Sequence, residues 1–442
     1  MAVDLPGTPP FVLRARLLTP LDDGGFRHEP DALIEVDAEG RLTAVCAASE
    51  RAAAASAIDL RPWVVLPGMV DLHAHLPQIL NAGLGAGMPL LAWLEKYIFP
   101  LEQGFDREMA GRVAPAAWRA FAAAGTTTVL AYGAVYQASL DEMFRAAEAH
   151  GIRAVLGKVM MDRITYDPTI APSTIIGRTI AESGWLIDRW HGVDRGRLRY
   201  AVTPRFAVSC TAELLRESAS LAASTGAYWQ THVSEDQGEI AEVGRLFPDA
   251  IDYVDVYDQA GGLGARTVLA HAVYLSDREL RRLVETGTHV AHCPISNLFL
   301  ASGVMPLGRY QDAGLSIGLG SDVAGGPDLS IFSVMRVGFY AQHARQTAGL
   351  EHGAVLGPLE WLRFGSLAGA QALGMGHEIG SIEVGKDADL IAIDPAFVAP
   401  IPGIVDDDPE DLASRLIFRA HPDMVRAAWV RGRSLDGPGA RA

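Results

Sequence analysis

The sequence predicts an α/β fold: a (β/α)8 TIM-type barrel with a small β-sandwich-like domain built from both chain ends. Three observations carry this. Eight apolar, strand-like runs alternate with helix signals between LPGMVDLHAH and LSIGLGSD. Stretches of alternating polarity without intervening helices occur only at the two flanks. The length, 442 residues, exceeds what one ordinary domain needs. A doubly wound open sheet would show the same alternation, so the residues at the strand ends have to decide between the two.

The N-terminal flank, residues 1–66, contains FVLRARLLTP and ALIEVDAEGRLTAV, with Gly40 where a hairpin would turn. The barrel is expected over 67–380. After its first strand, DREMAGRVAPAAWRAFAAAG is rich in helix formers and stops at Gly125. TTTVLAYGA is a buried strand, and SLDEMFRAAEAHG a helix with a capping box from Ser139 to Glu142. IRAVLGKVMMD, LRYAVTPRF, AYWQTHVSE, RTVLAHAVYL, THVAHCP and LSIGLGSD supply the remaining strands. Among the helices between them are TAELLRESASLAASTG and SDRELRRLVETG, the latter with a Ser276–Glu279 capping box. In the C-terminal flank, 381–442, GSIEVGKDADLIAID and VRAAWVRGRSLDG again alternate and complete the small domain.

Composition narrows the partners. With 49% hydrophobic and 20% charged residues the chain is an ordinary globular protein. A net charge of −16 argues against nucleic-acid binding but leaves room for a small ligand in a pocket. Three scattered cysteines, Cys46, Cys210 and Cys293, without C-x-x-C spacing read as reduced thiols, so a cytoplasmic location is expected. MAVDLPGTPP lacks the pattern of a signal peptide. The uncharged stretch Phe121–Leu140 holds three threonines and two glycines and reads as helix end, turn and strand rather than a membrane span.

In a barrel the chemistry sits where strands pass into loops. The first run ends in His73 and His75, two apart and therefore on one side of a strand. The fifth ends in His232 with Glu235 three residues on, the sixth in His271, the seventh in His292, and the eighth in Asp322. Singly, each residue has an ordinary role open to it: a satisfied core histidine, an Asx-turn in GSDVAGG, a helix-start carboxylate. Together, imidazoles and carboxylates at separate strand ends make a divalent-metal site with an open position for water.

The same residues carry a resemblance. PGMVDLHAH is similar to the first-strand motif of the amidohydrolase superfamily, and GSIEVGKDADLIAID to its β-domain return. HLPQ, the MPLLAWLEKYIFPLE lid, GKVMMD, VTPRF, THVSED, AHCPISN and GLGSDVAGG together look closest to its guanine deaminase branch, across nearly the whole chain. The resemblance implies that His73, His75, His232 and Asp322 hold one divalent ion, Zn²⁺ ahead of Fe²⁺, and that a metal-activated water deaminates guanine to xanthine. It casts Glu235 as general acid/base, Asp322 as proton acceptor as well as ligand, and His271 as hydrogen-bond partner of the nucleophile. No lysine in LRYAVTPRF is available to bridge a second ion.

Arg205 offers a donor fork for O6 and N7 of guanine, and Gln78 a donor and an acceptor for a purine edge. Phe206, Leu90 and Trp93 are candidates to pack on the ring. The resemblance further implies a homodimer. Ser321 and Ile295 stand where related sequences often have Thr and Asn, a departure that bears on substrate preference. Deamination of 8-oxoguanine, a pterin or an aminotriazine would use the same metal residues, and cyclic amide hydrolysis is the next alternative. His292 and Lys158 receive no role.

Overall fold

The computed structural model describes residues 4–51, 56–164, 171–351, 355–404 and 407–435. Strands β5 (Met69–His75), β6 (Thr126–Tyr132), β7 (Arg153–Gly157), β9 (Leu198–Pro204), β10 (Tyr228–Val233), β11 (Thr267–His271), β12 (His289–His292) and β13 (Ser316–Leu319) pair side by side in that order. The pairings are parallel, and helices cross between successive strands. The two-residue β8 (Val159–Met160) adds to β9. This is the barrel the alternation predicted.

Hydrogen bonds from the loop after β13 close the seam between the last strand and the first. Asp322 N–H donates to the His73 carbonyl at 2.7 Å, and His75 N–H to the Val323 carbonyl at 2.9 Å. The buried Asp71 carboxylate accepts from His73 N–H (3.1 Å), Ser321 N–H (3.0 Å) and Ser321 Oγ–H (2.5 Å). Burial raises Asp71 to about 6 even though these donors pull the other way. Closure of the barrel thus draws Asp322 against the two first-strand histidines.

Seven strands form the second sheet, in the order β16 (Arg433–Ser434), β15 (Val425–Val430), β14 (Leu390–Ile393), β4 (Ile58–Pro67), β1 (Phe11–Pro20), β2 (Phe26–Val36), β3 (Leu42–Ala47). It curls, because Leu42 N–H donates to the Lys386 carbonyl and Ala388 N–H to the Gly40 carbonyl. Leu13, Ala15, Leu17, Ile34, Val65, Leu390 and Trp429 fill its interior. Gly40 turns the β2–β3 hairpin at φ 83°, as its position in the sequence indicates. The last two residues of VRAAWVRGRSLDG lie outside the described residues.

Two local readings need correction. LPGMVDLHAH is not one strand: β4 ends at Pro67, and β5 starts beyond Gly68 in the other sheet. The Ser139–Glu142 capping box does not form. The helix Gln137–His150 is already running when Leu140 N–H reaches the Tyr136 carbonyl, so Ser139 sits inside its first turn with a buried hydroxyl. The Ser276–Glu279 box is present, and a second, Asp236–Glu239, opens the helix after β10. Among the described residues no helix is long and apolar enough to cross a membrane.

Candidate metal centre and substrate cleft

His73, His75, His232 and Asp322 arrive from three strand ends and meet at the barrel mouth. His75 Nε2 lies 3.1 Å from His232 Nε2. Asp322 Oδ1 lies 3.1 Å from His73 Nε2 and 3.5 Å from His75 Nε2. Donors held tetrahedrally around an ion at about 2.0–2.1 Å sit about 3.3 Å apart, and these three separations fall near that value. Two imidazole nitrogens 3.1 Å apart share one proton at most.

The protonation states fit as well. His232 Nδ1 is 2.6 Å from the Arg205 carbonyl, which fixes its proton there and leaves Nε2 bare. Burial, then repulsion from the neighbouring imidazoles, holds His75 and His232 well below the usual histidine range and therefore neutral. Burial works to raise Asp322, but His73 and His271 outweigh it and keep the carboxyl ionised at about 2. Neutral imidazoles and one carboxylate, with His232 half-buried and the other three buried, suit a divalent cation.

The backbone is bent to make this set. Eight described non-glycine residues have left-handed φ, and Ser234 (47°), His271 (72°), Ala272 (49°), Ala301 (55°) and Asp322 (48°) are in or beside the centre. Such strain persists only where the surroundings over-determine it, and it concentrates at functional sites. In β5, two residues, Leu72 and His73, oppose one residue of β6 between the Asp71 and Ala74 pairs, a bulge that re-aims the histidine end of the strand.

Glu235 and His271 complete the mouth. His271 Nδ1 faces Asn297 Oδ1 at 2.9 Å, so its bare Nε2 points to Glu235 Oε2 (3.3 Å) and Asp322 Oδ2 (3.8 Å). Burial, with the nearby charges of Asp322 and Glu239, raises Glu235 well above the carboxylate range. Glu239 Oε2 accepts the backbone N–H of Glu235 at 2.9 Å, and its Oε1 accepts Tyr253 O–H at 2.7 Å, which pins the loop after β10.

A cleft of about 380 Å³, open solvent included, lies over these groups. His75, Gln78, Leu90, Trp93, Arg205, Phe206, His232, Glu235, His271 and Asp322 line it, and His73 lies against them outside the lining. Leu90 and Trp93 belong to the segment Leu90–Gln103, whose middle turn is a π-helix over Leu94–Ile98. Trp93 Nε1 donates to the Leu84 carbonyl, and its ring packs where a side chain on Gly85 would sit.

Glu239, Leu94 and Leu300 also line the cleft and were not anticipated. Neither was Glu102. This fully buried carboxylate accepts Arg205 Nη1–H at 2.5 Å and Gln78 Nε2–H at 2.8 Å. It ties both candidate recognition side chains to the lid. Nothing in WLEKYIFPLE separates Glu102 from Glu95 as a sequence signal; only burial does. Replacing Glu102 by Gln removes the buried carboxylate that pairs with Arg205, a change of about 3–5 kcal/mol. The expected outcome is a lower melting temperature and at least a tenfold rise in KM, measured by calorimetry and steady-state kinetics, with Glu102→Asp closer to wild type.

The residues without a role stay outside the cleft. Lys158 is buried against Thr179 Oγ1 (2.7 Å) and Glu182 (3.1 Å), an ion pair with the helix Ile175–Trp190. His292 is buried, its ring nitrogens have no partner among the described residues, and burial lowers it to about 3. Ser321 bonds Asp71 at the barrel seam and neither it nor Ile295 lines the cleft, so both departures act on packing rather than on ring contacts.

The amidohydrolase family model matches residues 64–435. A probable guanine deaminase of Deinococcus radiodurans is 38% identical over 85% of this chain and 84% of its own length. The structure is similar to that of guanine deaminase from C. acetobutylicum with guanine bound in its active site. That TM-score is 0.88 at 27% identity, covering 96% of this chain and all of the other. An adenosine deaminase from Xanthomonas campestris with bound zinc superimposes with a TM-score of 0.81 at 25% identity, covering 97% of this chain and 93% of its own.

Proposed function

Because the chain belongs to the amidohydrolase family and, within it, to the guanine deaminases, we infer that it hydrolyses guanine to xanthine and ammonia. The observation that carries the chemistry is the meeting of Asp322, Glu235 and His271 in one cleft with Arg205 and Gln78. His73, His75, His232 and Asp322 would hold one divalent ion, zinc ahead of iron. The zinc-containing deaminase neighbour and the nitrogen-rich donor set favour that choice. Such an ion, when bound, supplies Lewis acidity that brings water toward ionisation near pH 7.

The chain's own groups do the rest. Asp322 Oδ2, turned away from His73, takes the proton of the attacking water, and His271 Nε2 accepts a hydrogen bond from that water. Glu235 is held protonated by burial and donates to the ring nitrogen beside C2 as the C2–O bond forms. The proton held by Asp322 passes through Glu235 to the exocyclic nitrogen, the C2–N bond breaks as the C2 hydroxyl gives its proton back to Glu235, and ammonia leaves with Glu235 protonated again. Arg205 directs donors at O6 and N7, Gln78 meets the polar edge, and Leu90, Trp93 and Phe206 cover the ring faces and exclude water. The enzyme would act in purine catabolism, in the cytoplasm and as a homodimer.

Deamination of another amino-substituted ring uses the same centre and differs only at Arg205 and Gln78. Cyclic amide hydrolysis is disfavoured by the absence of a bridging lysine on β9 and by the placement of Glu235. Comparing kcat/KM for guanine, 8-oxoguanine, a pterin and an aminotriazine on the metal-loaded protein separates these readings. Guanine should lead by at least about 100-fold. A different leader keeps the chemistry and overturns the pocket assignment, and inactivity on every ring with metal bound defeats deamination.

A further inference from the structure

Asn297, in the helix Pro294–Phe299, and Ser302, in the loop that follows it, close a circuit around the two mobile-proton groups of the site. His271 Nδ1–H meets Asn297 Oδ1 at 2.9 Å, and Ser302 N–H donates to the Asn297 carbonyl at 2.8 Å. Ser302 Oγ–H donates to Glu235 Oε1 at 3.2 Å, while Glu235 Oε2 faces His271 Nε2 at 3.3 Å. The loop is shaped around that hydroxyl. Ala301 is left-handed at φ 55°, and Tyr274 O–H donates to the Ser302 carbonyl at 2.5 Å. Gly303, at φ 143°, leaves room for the Tyr274 hydroxyl where any Cβ would collide with it. Both backbone polar groups of Ser302 are therefore occupied, and its buried hydroxyl is directed at Glu235.

We propose that Ser302 is a positioning residue for the reaction, binding Oε1 of Glu235 so that Oε2 alone carries and exchanges the proton. A free carboxyl could rotate and present either oxygen, and in half of its orientations the proton would point at the protein. With Oε1 accepting from Ser302, the protonated oxygen is the one turned to His271 and the cleft. The inference rests on the reading of Glu235 as general acid/base and adds the group that aims it. The effect belongs to the chemical step, because the Ser302 hydroxyl does not line the cleft.

Ser302→Ala, Ser302→Thr and Glu235→Gln are compared with wild type for kcat, KM, metal content and melting temperature. Ser302→Ala should lower kcat by about 10–100-fold with KM, metal content and melting temperature near wild type. Ser302→Thr keeps the hydroxyl and should recover most of the loss. An unchanged kcat in Ser302→Ala overturns the proposal, as does an equal loss in Ala and Thr or a loss that follows melting temperature or metal. A Glu235→Gln protein that turns over normally instead removes the reading on which the proposal stands.

Discussion

Glu235→Gln lowers kcat for guanine by about 10³-fold and leaves KM and metal content close to wild type. Gln keeps the volume of the side chain and an oxygen for the Ser302 hydroxyl, but it cannot give and retake a proton. General acid/base groups contribute typically 10²–10⁴-fold, and the middle of that range corresponds to about 4 kcal/mol of transition-state stabilisation. KM is spared because Arg205 and Gln78, tied to Glu102, bind the ring independently of Glu235. Metal content is spared because Glu235 lies beyond the His73, His75 and Asp322 cluster. Steady-state kinetics and elemental analysis of one preparation check all three statements.

Asp322→Asn abolishes measurable turnover by a different route, through loss of the ion. The carboxylate contributes the one formal negative charge among the proposed donors, and Oδ1 spans His73 and His75 at 3.1 and 3.5 Å. Perturbing groups that only support a ligand costs 10–100-fold in metal affinity, so removing the charged ligand should exceed about 100-fold. Elemental analysis after dialysis should find the variant largely metal-free beside a loaded wild type. The protein should still fold, since the Asp322 and His75 backbone bonds that close the barrel do not involve the carboxylate. An Asp322→Asn protein that retains its full complement of ion contradicts the ligand assignment.

Much of this was legible in the sequence, for identifiable reasons. Buried parallel strands are near-continuous apolar runs, so β6, β7 and β9 to β13 stood out. Polar residues ending such runs in His73, His75, His232, His271 and Asp322 pointed to one mouth. What was illegible depends on contacts between distant segments. Asp71 reads as one more residue of VDLHAH, yet it stitches the seam through Ser321, 250 positions away. Glu102 looks like any lid glutamate until Arg205, 103 positions on, closes on it. The π-turn over Leu94–Ile98 leaves no signature in a helical pattern. Ser139 shows the opposite error, an N-cap placed three residues too late, inside a helix whose N-cap is Tyr136.

The central claim is that one ion at His73, His75, His232 and Asp322 supports deamination of guanine in this cleft. Its most direct test is titration of the metal-stripped protein with Zn²⁺ while xanthine and ammonia are followed together. Activity should rise linearly and stop at about one ion per chain, with one ammonia per xanthine. Turnover in the stripped protein, or silence toward guanine with one ion bound, would contradict the account.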